Sequence, residues 1–77
     1  MENRIRRVFR EVFNDDQMKI SDAMSSRNVP GWDSLNHVRL LIGLEEEFGI
    51  KFTTHEATQL NSVMSIKQTL ERKLVTS

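Results

Sequence analysis

The chain has 77 residues, enough for one small domain but too few to wall off a deep catalytic cleft. Eleven Lys and Arg balance eleven Asp and Glu, so the net basic charge expected of a nucleic-acid binder is missing. With no cysteine there is no disulfide framework and no thiolate metal site, and no stretch approaches the ~20 apolar residues of a membrane span. Nothing in the first fourteen residues, which carry Arg4, Arg6, Arg7 and Arg10, resembles a signal peptide. The expectation is one soluble, cytoplasmic, monomeric domain over residues 1–77, without nucleic acid, membrane or metal.

Ile5, Val8, Phe9, Val12 and Phe13 fall at the i, i+3, i+4, i+7, i+8 positions of an amphipathic helix. Arg6, Arg7 and Arg10 lie opposite, as a solvated face, and Asn14-Asp15-Asp16 supplies the stop. Residues 14–33 have no clean period and contain Pro30 and Gly31. A connection of this length is functional or packs down through its own apolar side chains, here Met18, Ile20, Met24 and Val29.

From Ser34 to Phe48 the pattern is a second, stronger helix, closed by Gly49 at the left-handed C′ position. Its apolar residues cover an arc of about 220°, whereas a surface helix needs little more than 100° to meet a core. Leu40, Leu41, Leu44 and Phe48 make a sensible inner face, which leaves Leu35, Val38 and Ile42 as a surplus strip beside Arg39 and Glu46. That strip is either buried under the long loop or kept for a partner.

Thr53-Thr54-His55-Glu56 fits a capping box that opens a short helix through Leu60. Ser65-Ile66-Lys67-Gln68 fits another, opening a last helix with Ile66, Leu70 and Leu74 on its apolar face. The fold class that results is all-α: a four-helix bundle of three main helices and one short one, with a long loop between the first two.

Gly31-Trp32-Asp33-Ser34-Leu35 stands directly before the strongest helix. Ser34 is thereby placed where unpaired backbone N–H groups and the positive end of the helix dipole favour an attached phosphate. Position alone leaves a second reading open, in which Asp33 or Ser34 simply caps the helix. His37, one turn on, suggests a nucleophile–base pair with Ser34, but no acidic orienter or oxyanion hole accompanies it. On the helical wheel it falls between Leu44 and Leu40, the place of a packed side chain, while His55 faces solvent. Two lone histidines make no metal site.

The Asp33-Ser34-Leu35 turn, with the helix that ends Leu44-Glu45-Glu46-Glu47-Phe48-Gly49-Ile50, resembles the acyl carrier protein family. The likeness runs over the whole chain. It implies a non-enzymatic carrier in which Ser34, flanked by Asp33 and Leu35, receives 4′-phosphopantetheine from coenzyme A and holds acyl, aminoacyl or polyketide groups as thioesters. It implies as partners a phosphopantetheinyl transferase, an acyl- or aminoacyl-loading enzyme and downstream synthases. The docking residues expected are Val38, Arg39, Ile42 and Glu46, with Glu45 beside them.

Carriers of bacterial fatty acid synthesis are usually strongly acidic along this helix. Here Asn36 and Arg39 occupy places commonly held by acids, and residues 33–51 set four acids (Asp33, Glu45, Glu46, Glu47) against two bases (Arg39, Lys51). Charge opposition to a basic partner is thus weak, which points to a dedicated carrier of a specialised pathway (polyketide, peptide, aminoacyl or modified-sugar assembly). Trp32 before the Asp-Ser-Leu turn points the same way or simply packs at the loop end. The opposing reading is a small helical protein-interaction module in which Ser34 is only a cap.

Overall fold

A computed structural model of the chain describes residues 2–76, with side chains placed through residue 74. Residues 1 and 77 of the expected 1–77 domain lie outside the described residues. Four helices follow in order: α1 (Glu2–Val12), α2 (Ser34–Phe48), α3 (Thr54–Gln59) and α4 (Val63–Thr76). Among the described residues there is no strand, only an isolated antiparallel bridge between Ser25 and Ser62.

The α1 stripe buries Ile5, Val8 and Phe9, while Val12 and Phe13 pack at its edge. Regular helix ends at Val12, and Asn14 takes a positive φ of 52°, a conformation that Asn tolerates better than most residues. On α2 the inner face is as expected, with Leu40 and Leu44 fully buried and Leu41 and Phe48 packed against the core. Burying each such leucine contributes about 1.5–3 kcal/mol. Gly49 adopts φ 66°, ψ 37°, and its amide donates to the carbonyl of Glu45, which ends the helix.

Despite the long connection between them, residues 13–33, α1 and α2 pack tightly on each other. A Cβ on Gly43 would stand 2.9 Å from Cγ1 of Val8, so only glycine allows this approach. The long loop does pack down: Ile20, Met24 and Val29 lie against the core, whereas Met18 is half-buried and offers its carbonyl to Arg10 Nε at 3.0 Å. Backbone bonds from Ser26 N to Asn61 O and from Val63 N to Met24 O, both 2.9 Å, fasten the loop to the α3–α4 junction. Lys67 of α4 reaches Asp22 at 2.6 Å and Glu2 at 2.9 Å, tying loop and α1 to the last helix.

The Thr53 box is present as expected, with Glu56 N donating to Thr53 Oγ1 (3.1 Å) and Thr53 N donating to Glu56 Oε1 (2.9 Å). The second box is not where the sequence pattern put it. Helix α4 starts at Val63, and Ser62 is the cap: its hydroxyl accepts from Ser65 N at 3.1 Å while Ser62 N donates to Ser65 Oγ at 3.2 Å. Burial of Val63, wholly enclosed, goes with a helix that starts three residues, most of a turn, earlier than the Ser65 pattern suggests. Ile66 and Leu70 are buried beside it, and Leu74 is partly exposed at the helix end.

Candidate functional site

At the N-terminus of α2 the capping role falls to Asp33. Its backbone is extended (φ −99°, ψ −174°), and its Oδ1 accepts from Asn36 N at 2.9 Å. Ser34, the first helical residue, is exposed, and among the described residues its hydroxyl has no hydrogen-bond partner. The amides of Ser34 and Leu35 are left at the positive end of the helix without an intrahelical acceptor.

Three further bonds hold the turn that presents this serine. Trp32 N donates to Val29 O at 3.1 Å, and Asn36 Nδ2 reaches back to Gly31 O at 2.7 Å. The third starts from Trp32, only 5% exposed, whose indole N–H donates to Nδ1 of His37 at 3.1 Å. Since indole only donates, Nδ1 must be unprotonated, and the proton on Nε2 goes to Ala57 O of α3, also at 3.1 Å. His37 is therefore fully occupied as a structural link and is not poised against Ser34. Rings of Phe9 and Phe13 also meet Trp32 edge-on, with centroids 5.5 and 6.3 Å away.

Beside Ser34 lies an open groove of about 520 Å³, lined by Ser26, Trp32, Asp33, Ser34, His37, Val38 and Asn61. The surplus strip is on the surface: Leu35, Val38 and Ile42 are 60%, 53% and 49% exposed. Arg39 and Glu46 are exposed along the same helix. Beyond Ile42 a second concavity of about 430 Å³ is bordered by Glu45, Glu46, Gly49, Ile50 and Lys51. The apolar strip thus runs from the groove beside Ser34 to the end of α2.

The acidic end of α2 is less free than its sequence suggests. Glu45 accepts the amide of Phe52 at 2.8 Å and so fixes the turn after the helix. Glu47 is gripped by Arg4 (2.8 Å) and Arg7 (2.5 Å), and Arg4 also donates to the Glu47 carbonyl and lies 4.4 Å from the centre of the Phe48 ring. Hydrogen bonds from Arg4 and then Arg7 hold the Glu47 carboxyl below the ordinary carboxylate value, and Glu47 raises Arg7 in turn. Of the three consecutive glutamates, Glu46 is the exposed one.

Sequence reasoning had no sign of Asn36 as the residue that ties the turn back to Gly31, nor of Ser26 and Asn61 as groove walls. Asn36 was visible only as a missing acid.

The site is that of a small helical bundle that displays a serine hydroxyl at the start of its principal helix, next to an exposed apolar strip. No protein-family model matches the chain. Acyl carrier proteins of Buchnera aphidicola subsp. Acyrthosiphon pisum, strains Tuc7 and APS, are each 34% identical to it over 73 residues, covering 95% of this chain and 91% of theirs. The solution NMR structure of holo acyl carrier protein from Geobacter metallireducens superposes with a TM-score of 0.78 at 32% identity, covering 97% of this chain and 91% of that one. The chain belongs to the acyl carrier protein family, non-enzymatic carriers that bear covalently attached 4′-phosphopantetheine.

Proposed function

We propose that Ser34 is the attachment residue and that the chain is a thioester carrier of a specialised pathway. The observation that carries this reading is the division of roles at the start of α2: Asp33 takes the cap and leaves the exposed Ser34 hydroxyl uncommitted. Ser34 Oγ would hold the group through a phosphodiester, with its negative charge beside the unbonded amides of Ser34 and Leu35. When bound, the group supplies a flexible arm ending in a thiol on which acyl, aminoacyl or polyketide cargo rides as a thioester. Asn36, through Gly31, and Asp33 keep the presenting turn in one shape so that a transferase meets a fixed geometry.

Partner enzymes would dock on Val38, Arg39 and Ile42, with Glu46 at the far end of the strip. These residues offer apolar contacts framed by charges of both signs. A partner surface selected for an acidic helix meets Arg39 as a like charge, which supports a dedicated loading enzyme over housekeeping fatty acid synthases. The chain would act as a monomer in the cytoplasm. No helix of the described residues is long and apolar enough to cross a membrane.

Intact-mass spectrometry after incubation with coenzyme A and a promiscuous phosphopantetheinyl transferase tests the attachment. A mass gain of one phosphopantetheinyl group is expected, and it disappears in Ser34→Ala. No gain sinks the assignment and returns the helical interaction module in its place, and a gain that survives the substitution removes Ser34 as the attachment residue.

A further inference from the structure

We propose that the Trp32–His37–Ala57 link closes the seam between α2 and α3, so that this carrier keeps its cargo outside the bundle and suits short or polar acyl groups. The inference rests on the reading of Ser34 as the attachment residue and adds the class of cargo.

A chain that leaves Ser34 Oγ and turns inward meets the wall of the neighbouring groove, formed by Trp32 and His37. Leu40, Leu44, Leu60 and Val63, in the same core cluster as Trp32, have no exposed surface. Trp32 cannot swing aside freely, because Phe9 and Phe13 pack against its ring and His37 holds its indole N–H edge, with 6.4 Å between ring centroids. His37 in turn bonds Ala57 O, one of the last carbonyls of a six-residue helix that has no intrahelical donor for it. Every nitrogen in the link is thus paired. Opening the seam would break both of these part-buried hydrogen bonds and uncover the enclosed indole of Trp32, each at a cost. A long alkyl tail therefore stays in the outer groove or in water, where its exposure is unfavourable. A short or hydrophilic acyl group suffers no such penalty.

The chain has no cysteine and one tryptophan, which makes a direct test available. Ser34→Cys gives a single thiol that can be alkylated with haloacetamides whose amide-containing spacers end in a methyl or an octyl group. The Trp32 indole N–H and the methyl resonances of Leu44, Leu60 and Val63 are then compared by NMR. Equal spectra for both tails are expected. Octyl-dependent shifts of these interior resonances would overturn the proposal. In Ser34→Cys/His37→Ala the octyl tail should shift the same methyls, and unchanged spectra there would remove His37 as the closing residue.

Alkylation needs no transferase, so this result stands apart from the mass-spectrometric one. Where enzymatic loading succeeds, hydroxylamine should cleave acetyl and octanoyl thioesters equally fast. A slowing of the octanoyl ester by about tenfold, the factor expected when nine in ten tails are sheltered, would count against a closed seam.

Discussion

Asp33 accepts the amide of Asn36 at 2.9 Å, and Ser34 beside it keeps a hydroxyl with no partner among the described residues. Either residue is a good helix cap by type, and the extended backbone at residue 33 decides between them. Asp33→Ala should therefore cost about 1 kcal/mol in urea denaturation, and Asp33→Asn should recover most of it. An Asn variant as unstable as the Ala variant would show that the carboxylate acts through something other than the cap.

Glu47, held by Arg4 and Arg7, should be one source of acid sensitivity in the fold. Its folded pKa lies below the ordinary 4.5, as do those of Glu2, bonded by Lys67, and Glu56, bonded by Lys73 and the Thr53 amide. A depressed carboxylate pKa adds stability that is fully present above 4.5 and is lost as pH falls through the lower folded value. Lys67 has the opposite sign: Asp22 and Glu2 raise it above 10.5, so its contribution is complete below that pH and fades above it. The melting temperature should form a plateau between these limits. Glu47→Gln should lower the plateau and soften its acid edge, and 1 M salt should do the same. A melting profile flat down to pH 3 would contradict the assignment.

Gly43 is required by contact rather than by backbone angle. Alanine there gains about 1 kcal/mol of helix propensity but drives a methyl to 2.9 Å from Val8, which is buried and β-branched. Overpacking of this kind costs about 1–3 kcal/mol, so Gly43→Ala should be destabilising by roughly 1 kcal/mol overall. In a Val8→Ala background the same change should become neutral or favourable, and a double-mutant cycle measures the difference.

Arg39 tests the choice of partner. Arg39→Glu should raise kcat/KM with fatty-acid-synthase enzymes about fivefold, the scale of roughly 1 kcal/mol for an exposed charge reversal. Steady-state kinetics at low and high salt separate the electrostatic part. No change, or a loss, would place Arg39 away from the docking surface.

Helix α2 was legible from end to end, because Asp33, the apolar period and Gly49 are each local signals that act within one turn. The surplus strip was legible for the same reason, since an arc wider than a core requires left Leu35, Val38 and Ile42 over. The start of α4 was misplaced because Ser62 and Ser65 each resemble a cap and only the burial of Val63 chooses between them. The arginine face of α1 read as solvated, and Arg4 and Arg7 are exposed, but no local pattern signalled their convergence on Glu47, some forty residues away. His37 read as packed, which it is, but Ala57 as its partner lies twenty residues downstream.

What the residues determined unaided were the helices, most of their ends and the serine at the head of the second. Those follow from spacings of three and four residues and from backbone preferences that need no distant neighbour. Which glutamate remains in solvent, what holds Trp32 in place and whether the bundle opens toward Ser34 were decided only when the helices crossed. Contacts between remote segments depend on crossing angle and depth of packing, and no local pattern encodes these.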